Sequence, residues 1–208
     1  MKRILLADDY SIVRSGVKSL IKDIYTQAQI NEAGNETEIT QSLKFHFYDL
    51  VIFDIGMPGI DFSNMMNWIR ISFPDTRLLV FSMYPEDIYG VRCLQMGARG
   101  YLRKTAPNDE IISAIRMVLE GKKYLSHHLT DLLLESQNEH KGKNPFTSLS
   151  PRELEIVKHL NVGRSLPEIC KILNIQYSTA NTYKRRIFEK LGVHAVHSLS
   201  QLIRSFDM

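Results

Sequence analysis

Four apolar residues at positions 50–53, followed at once by Asp54 and by the turn formers Gly56, Pro58 and Gly59, constrain the fold more than any other stretch. The run is too short for a helix and rich in β-forming residues, so it predicts a strand buried on both faces of a sheet. Asp54 then stands where a buried parallel strand emerges, the edge at which open α/β sheets bind ligands. A turn-forming Asp is the ordinary alternative, so the interpretation depends on what else reaches this edge.

Four further apolar runs predict strands of the same sheet, and stretches of helical length separate them. The runs are residues 4–7, 29–33, 78–81 and 100–102. Apolar residues recur at helical spacing between the runs, most clearly from Ile12 to Ile24 and from Ile111 to Leu119. Five strands alternating with five helices in about 120 residues predict a doubly wound parallel sheet with right-handed crossovers.

The C-terminal third carries signals of short helices. Two capping boxes, each a Ser followed three residues later by a Glu, predict helix starts at Ser150 and Ser165. A tight turn follows the second helix, and a longer basic helix is predicted over residues 178–191, ended by Gly192. A short helix, a turn and a basic helix are the pattern of a helix-turn-helix, and a last helix is predicted at residues 195–205.

Charge and composition separate the two parts of the chain. From Phe146 onward there are 9 Lys and Arg against 5 Asp and Glu, whereas before it there are 17 against 18. A basic excess confined to the C-terminal third fits a nucleic-acid-binding domain. Residues 136–147 between the parts are polar and predict a flexible linker. The apolar run at the start is too short for a signal peptide and no stretch approaches transmembrane length, so we expect a cytoplasmic protein with no membrane contact.

Three carboxylates are predicted to converge at one edge of the sheet. If the first strand ends before Asp8, then Asp8 and Asp9 project from the same edge as Asp54, because parallel strands share a direction. Three carboxylates repel one another unless a hard cation neutralises them, and Mg²⁺ is the natural occupant. Ser82 ends the fourth predicted strand and Lys104 follows the fifth, and a hydroxyl and an ammonium at this edge suit a phosphoryl group.

The chemistry that these groups predict is attack by an Asp carboxylate on phosphorus, with a metal ion and a Lys balancing the charge that develops. Each residue alone has an ordinary structural explanation: an Asp caps a helix, a Ser occupies a turn and a Lys is a solvated charge. Four strand ends that carry Asp-Asp, Asp, Ser and Lys together are hard to explain as structure alone.

The predicted helix over residues 178–191 has two different faces. One stripe is apolar and would pack on the other helices, and the opposite side is polar and basic. A helix in the major groove reads bases with its N-terminal residues and holds phosphates with its flanks. The predicted base contacts are Asn181, Thr182 and Arg185, and the predicted phosphate contacts are Lys184, Arg186 and Lys190. A solvated basic face is the alternative interpretation.

The N-terminal part of the chain resembles a response-regulator receiver domain, and the C-terminal part resembles the LuxR-type helix-turn-helix of the NarL and FixJ class. The first resemblance is carried by Asp8-Asp9, Asp54 with residues 57–59, Ser82, and residues 97–104. The second is carried by residues 149–153, 168–169 and 179–193. Together they cover nearly the whole chain. They imply a receiver domain over residues 1–122, a linker over 123–147 and a DNA-binding domain over 148–208.

The resemblance implies a fold and a role for each motif. The fold is an α/β receiver domain with strand order 2-1-3-4-5, followed by a small all-α domain. Asp54 would accept a phosphoryl group from a sensor histidine kinase. Asp9, Asp54 and the carbonyl of Gly56 would hold Mg²⁺ with the help of Asp8. Ser82, Lys104 and Tyr101 would bind the phosphoryl group and pass on the signal, and Thr179 joins the DNA contacts.

The chain departs from the family pattern at a few positions, among them Asp61-Phe62 in place of Asp-Gly and Gln176 in place of a capping Ser. The expected function is a transcription regulator, not an enzyme, that dimerises on phosphorylation. The last helix has an apolar face that suits either a dimer or the completion of the small core of its own domain. Two alternatives stay open. One is a Mg²⁺-dependent phosphohydrolase with Asp54 as nucleophile, and the other is a regulator that binds DNA irrespective of phosphate.

Overall fold

The structure, a computed structural model, describes residues 1–136 and 144–206. The chain divides into two units, Met1–Lys141 and Gly142–Met208. The first unit contains a five-stranded sheet flanked by helices, and the second contains helices. No helix in the described part of the chain is long and apolar enough to cross a membrane.

All five strands of the first unit are parallel and their order is β2-β1-β3-β4-β5, which confirms the predicted fold class. The strands are β1 Arg3–Ala7, β2 Gln29–Ala33, β3 Leu50–Phe53, β4 Arg77–Ser82 and β5 Gly100–Arg103. Every residue of β3 is buried, as expected for a central strand covered on both faces. Ala7 pairs with Phe53, and Phe53 pairs with Val80, so these strands end at nearly the same level of the sheet.

Five helices follow the five strands, in the alternation that the sequence predicts, and a sixth helix comes after them. The five are α1 Ser11–Ile24, α2 Glu36–Phe45, α3 Phe62–Ser72, α4 Glu86–Gln95 and α5 Asn108–Leu119, and the sixth is α6 His127–Ser136. Val17 and Ile21 of α1 and Ile115 of α5 belong to one buried cluster with strand residues such as Ile52. The Asp61 side chain caps α3 by accepting hydrogen bonds from the backbone N–H groups of residues 63 and 64, so this helix starts normally despite the unusual Phe62.

Helix α6 was not predicted, and it occupies part of residues 123–147, the segment assigned to a linker. The chain before it is tied to the first unit, because the Tyr124 N–H donates to the Arg99 carbonyl at 2.8 Å. The Ser126 hydroxyl lies 2.8 Å from a carboxylate oxygen of Glu86 in α4 and accepts from the Leu129 N–H at 2.9 Å. The start of the predicted linker is therefore regular structure attached to α4. Residues 137–143 of it lie outside the described residues, and the boundaries at 122 and 148 stay predictions.

The contact between α6 and α4 depends on one large and one very small residue. Leu129 is fully buried. A Cβ atom on Gly90 would lie 2.7 Å from Leu129 Cδ1, so a larger residue at position 90 would force Leu129 to move.

We expect Leu129→Ala to lower the free energy of unfolding by about 2–5 kcal/mol, because it removes buried methyl groups and leaves a cavity. Chemical denaturation followed by circular dichroism measures the change. Leu134→Ala in the same helix is the matched control, since Leu134 is 60% exposed, and it should change the value by less than about 0.5 kcal/mol. Equal effects of the two substitutions would contradict the docking of α6.

The second unit is a small helical domain with its own core. Its elements are a 3₁₀ helix Pro145–Ser148, α7 Pro151–Asn161, α8 Leu166–Leu173, α9 Tyr177–Leu191 and α10 Val196–Ser205. The core includes the fully buried Phe146, Ile169 and Ile187. Both predicted capping boxes are present, since the N–H groups of Ser150 and Ser165 each donate at 2.7 Å to the Glu three residues later.

The longest helix of this unit, α9, starts one residue earlier than predicted. It begins at Tyr177, with Gln176 at the N-cap position and no side-chain capping hydrogen bond. Ser178 therefore lies inside the helix. The predicted end is confirmed, because Gly192 follows the last helical residue with a positive φ of 64°.

Candidate functional site

Four polar residues meet at the carboxyl edge of the sheet because each follows or ends a strand. Asp8 follows β1, Asp54 follows β3, Ser82 ends β4 and Lys104 follows β5. Backbone hydrogen bonds continue past the strand ends: the Asp54 N–H donates to the Ala7 carbonyl and the Lys104 N–H to the Ser82 carbonyl, each at 2.9 Å. The sheet thus fixes the main chain at each position, and the predicted convergence is observed.

Both oxygens of the Asp54 carboxylate have hydrogen-bond partners. Oδ1 accepts from the Ser82 hydroxyl at 3.0 Å and from the Gly56 N–H at 2.8 Å. Oδ2 accepts from Lys104 Nζ at 2.8 Å. Asp54 is only 6% exposed. The carboxylate is therefore held in one orientation at the mouth of the sheet, which is the preorganisation that a nucleophile requires.

Lys104 is the cation of the site and joins two acidic residues. Its Nζ lies 2.6 Å from Asp8 Oδ2 and 2.8 Å from Asp54 Oδ2, and all three side chains are buried. Burial alone would lower the pKa of Lys104, but the charge of Asp54 and the hydrogen bonds to both carboxylates outweigh it and raise that pKa. Lys104 is therefore charged under physiological conditions.

Three carboxylates form a cluster with the dimensions of a metal site. One oxygen from each of Asp8, Asp9 and Asp54 lies within 4.8 Å of the others. Asp9 Oδ1 is buried and has no hydrogen-bond partner. Burial raises the pKa of both Asp8 and Asp9, and the charge of Asp54 adds to this effect. An unpartnered buried carboxylate oxygen beside two other carboxylates fits a hard, oxygen-binding cation such as Mg²⁺.

Two tyrosines lie next to the site. The sequence indicated Tyr101 but not Tyr84. Tyr101 of β5 is fully buried, and its hydroxyl donates to the Tyr84 carbonyl at 2.9 Å, so it points inward. Burial strongly raises its pKa. A Cβ atom on Gly56 would lie 2.8 Å from Tyr84 Cε2, which places the Tyr84 ring against the backbone of the residue that also bonds Asp54. Only the folded chain brings Tyr84 next to Gly56.

Two further side chains support the acidic edge and carried no sequence signal. The Lys104 ammonium lies 5.5 Å from the centre of the Tyr10 ring, a distance suited to a cation–π contact. The Arg14 guanidinium donates to the Asp8 carbonyl at 2.6 Å and to the Glu32 carboxylate at 3.1 Å. Arg14 thereby ties α1 and β2 to the loop that carries Asp8 and Asp9.

The second candidate surface is the outer face of α9. Ala180 and Ile187 are fully buried, so the predicted apolar stripe packs inward. The opposite side is accessible along its length. Its exposed members are Thr179, Asn181, Arg185 and Arg186, and its half-buried members are Thr182 and Lys184. Six of the seven predicted DNA contacts are therefore at least partly accessible on α9, and their contact with DNA stays a prediction.

Lys190, the seventh predicted DNA contact, has a different environment. Its Nζ lies 2.6 Å from Glu153 Oε2. Glu153 is only 2% exposed and is also the capping-box residue of α7. Lys190 therefore ties α9 to the start of α7, and a role in phosphate contact stays a prediction for this residue.

These two sites define a class of protein. A parallel 2-1-3-4-5 sheet with acidic residues, a hydroxyl and a lysine at its carboxyl edge suits the binding of a cation and a phosphoryl group, and a helical domain with an exposed basic helix after a turn has the form of a DNA-binding module.

Known proteins share both parts of the chain. The family model for the response regulator receiver domain matches residues 4–116, and the model for bacterial regulatory proteins of the luxR family matches residues 147–206. Response regulator UvrY of Escherichia coli K12 is 33% identical over 97% of this chain and 93% of its own length. Response regulator GacA of Pseudomonas aeruginosa is 32% identical over 93% of this chain and 91% of its own.

A solved structure shows the same fold. RcsB from Salmonella enterica serovar Typhimurium is 23% identical, with a TM-score of 0.59 over 99% of this chain and 100% of its own. The chain belongs to the two-component response regulators that join a receiver domain to a LuxR-type DNA-binding domain and regulate transcription.

Proposed function

We propose that phosphorylation of Asp54 by a sensor histidine kinase controls DNA binding by the C-terminal domain. The observation that carries this proposal is the arrangement around Asp54, whose carboxylate is held by Ser82 and Gly56 on one oxygen and by Lys104 on the other. A structural aspartate needs no such combination of a hydroxyl, a backbone N–H and a buried ammonium.

The phosphoryl transfer follows from these positions. An oxygen of Asp54 attacks the phosphorus of a phosphohistidine, the P–N bond breaks, and its electron pair remains on the imidazole, which takes up a proton. The product is an acyl phosphate on Asp54. Lys104 and Ser82, already within hydrogen-bond distance of Asp54, donate to the transferred phosphoryl oxygens and stabilise the charge that develops on them.

The acidic cluster is the proposed Mg²⁺ site. Asp9, Asp54 and the carbonyl oxygen of Gly56 would hold the ion, and Asp8, which contributes an oxygen to the same cluster, would assist them. When bound, Mg²⁺ supplies positive charge that offsets the three carboxylates and the incoming phosphoryl group. The unpartnered buried oxygen of Asp9 supports this assignment.

The output is proposed to be specific DNA binding by a homodimer. Phosphorylation adds charge beside Ser82 and Tyr101 and shifts the receiver domain between two states. In the second unit, the exposed face of α9 offers Asn181 and Arg185 to base edges and Arg186 to phosphate. RcsB has been solved bound to promoter DNA in the presence of the phosphomimetic BeF₃⁻, and also as dimers on DNA. We place the protein in the cytoplasm and assign it no enzymatic turnover.

The test is DNA affinity measured at fixed salt on a genomic fragment pool. Beryllofluoride with Mg²⁺ should tighten specific binding of the unaltered protein by about 5–150-fold, the usual range of coupling between two sites. Asp54→Asn should bind as the untreated protein does, with or without the phosphomimetic. Lys184→Gln/Arg186→Gln should weaken binding in both states, because it removes phosphate contacts from α9.

The outcomes separate the alternatives. Equal affinity of treated and untreated protein would show a regulator that binds DNA irrespective of phosphate. Absence of specific binding in every state would contradict the assignment of α9 as a DNA-reading helix.

A further inference from the structure

A second cavity of the first unit lies at the opposite edge of the sheet from Asp54. Its volume is about 310 Å³. Four cationic side chains from four different segments line it, and no Asp or Glu is among its lining residues. These cations are Arg70 of α3, Arg77 at the start of β4, Arg99 just before β5 and Lys123 after α5. We call this site the basic cavity.

The four cations of the basic cavity have no charge partners in the described part of the chain. Arg70 donates a hydrogen bond to the Asn67 side-chain oxygen at 3.2 Å, and none of the four is paired with a carboxylate of residues 1–136 or 144–206. Asp75, the nearest acidic residue along the chain, is exposed and does not line the cavity. Four like charges around one concavity repel one another and create a positive potential that an anion relieves.

The backbone that carries these cations is held rigidly. The Arg99 N–H donates to the Leu78 carbonyl at 2.7 Å, and the Arg99 carbonyl accepts from the Tyr124 N–H at 2.8 Å. The Arg77 N–H donates to the Asp49 carbonyl at 3.3 Å. The attachment points of Arg77, Arg99 and the segment around Lys123 are thus fixed by the sheet, so little main-chain ordering opposes ligand binding.

The lining chemistry defines the ligand class. Two apolar side chains accessible from the cavity form part of its wall, the exposed Pro74 and the half-buried Leu94. The volume falls at the lower end of small-molecule sites, about 300–1,000 Å³. Guanidinium groups bind phosphate oxygens in a bidentate manner. From this combination we infer that the basic cavity binds an organic polyphosphate of the nucleoside di- or triphosphate class, with the phosphates on the cations and the base against the apolar wall.

A ligand bound in the basic cavity would give the receiver domain a second signal, separate from phosphorylation of Asp54. The two sites lie at opposite edges of one sheet, and each is built for a different charge: the carboxyl edge for a cation and a phosphoryl group, the basic cavity for a soluble polyanion. Every residue that lines the basic cavity belongs to the first unit, and Asp54 is not among them.

Isothermal titration of the full chain with ATP tests the proposal, in buffer containing EDTA so that phosphate does not bind through a metal at the acidic cluster. We expect saturable binding of one ATP per chain. Arg77→Gln/Arg99→Gln should weaken it at least about tenfold. Lys184→Gln/Arg186→Gln, which removes the same charge from α9, should leave the affinity unchanged. Arg77→Lys/Arg99→Lys should bind with intermediate affinity, since it keeps the charge and loses the bidentate geometry.

Several results would overturn the proposal. One is the absence of saturable binding by the unaltered chain, and another is an equal loss in the cavity and α9 variants, which would indicate non-specific attraction of polyanions. Equally tight binding of pyrophosphate would overturn the nucleotide assignment, because the base would then contribute nothing. Displacement of ATP by duplex DNA of unrelated sequence from the α9 variant would identify the cavity as a DNA-backbone contact. Unaltered circular dichroism of the cavity variant establishes that a loss of binding is not a loss of fold.

Discussion

The Asp54→Asn variant is expected to take up no phosphoryl group from acetyl phosphate and Mg²⁺, whereas the unaltered chain takes up as many as one per molecule. An amide is not a nucleophile at phosphorus, so no acyl phosphate forms. The amide oxygen can still accept from Ser82 and Gly56, which bond Oδ1 in the structure, so the local fold should persist. Intact-protein mass spectrometry under mildly acidic quench conditions measures the uptake.

A matched substitution separates the acceptor from other carboxylates. Asp75→Asn removes an exposed carboxylate away from the site and should leave the uptake unchanged. Continued uptake by Asp54→Asn would move the acceptor to Asp8 or Asp9. Multiple turnovers of p-nitrophenyl phosphate by the unaltered chain, lost in Asp54→Asn, would favour the phosphohydrolase alternative over a regulator that stores one phosphoryl group.

The Lys104→Met variant should lose about 3–5 kcal/mol of unfolding free energy at neutral pH, because removing one partner of a buried charge pair leaves the other charges uncompensated. Lys104 is the buried cation that contacts both Asp8 and Asp54. Met keeps most of the apolar stem, so the loss reports the charge and not the packing. Urea unfolding measures it, and Lys122→Met is the control, since Lys122 pairs with Glu120 at an exposed position and should change stability little.

The Lys104→Met loss should depend on pH and on Mg²⁺ in defined directions. Burial raises the folded-state pKa of Asp8 and Asp9 above their ordinary value. A raised carboxyl pKa favours the folded state where the carboxyl is protonated, and this contribution disappears as the pH rises through the folded pKa. The loss should therefore be smaller in mildly acidic than in mildly alkaline solution, and Mg²⁺ should restore part of it. A loss that is equal at both pH values and unaffected by Mg²⁺ would contradict an electrostatic origin.

The sheet and the acidic site can be predicted from the sequence because each strand, and the polar residue that follows it, is marked by a short local stretch of residues. A run such as Leu50–Phe53 predicts its own strand, and the shared direction of parallel strands then places Asp8, Asp54 and Ser82 at one edge. Strand bounds differed from the predicted runs by at most one residue at either end, because apolar patterning does not mark where ladder hydrogen bonds stop.

The features that the sequence did not indicate depend on packing between distant residues. Helix α6 forms where Leu129 meets Gly90, a contact that no local period reveals. Lys190 belongs to a basic helix and was interpreted as a phosphate contact, yet its ammonium meets a carboxylate 37 positions earlier in the chain. The Tyr84 ring beside Gly56 is likewise visible only in three dimensions.

Glu153 of the second unit holds two helices together, and this has a consequence for the mutants that a genetic screen would recover. One carboxylate oxygen, Oε2, accepts from both the Ser150 N–H and Lys190 Nζ. It therefore caps the start of α7 and also holds the C-terminal end of α9. Substitution at this buried position would remove the ion pair that ties α9, the helix that carries Asn181 and Arg185, to the start of α7. In a screen for lost promoter recognition, we expect alleles of residue 153 to be recovered alongside alleles of the predicted DNA contacts, and suppression by a compensating change at position 190 would reveal their different origin.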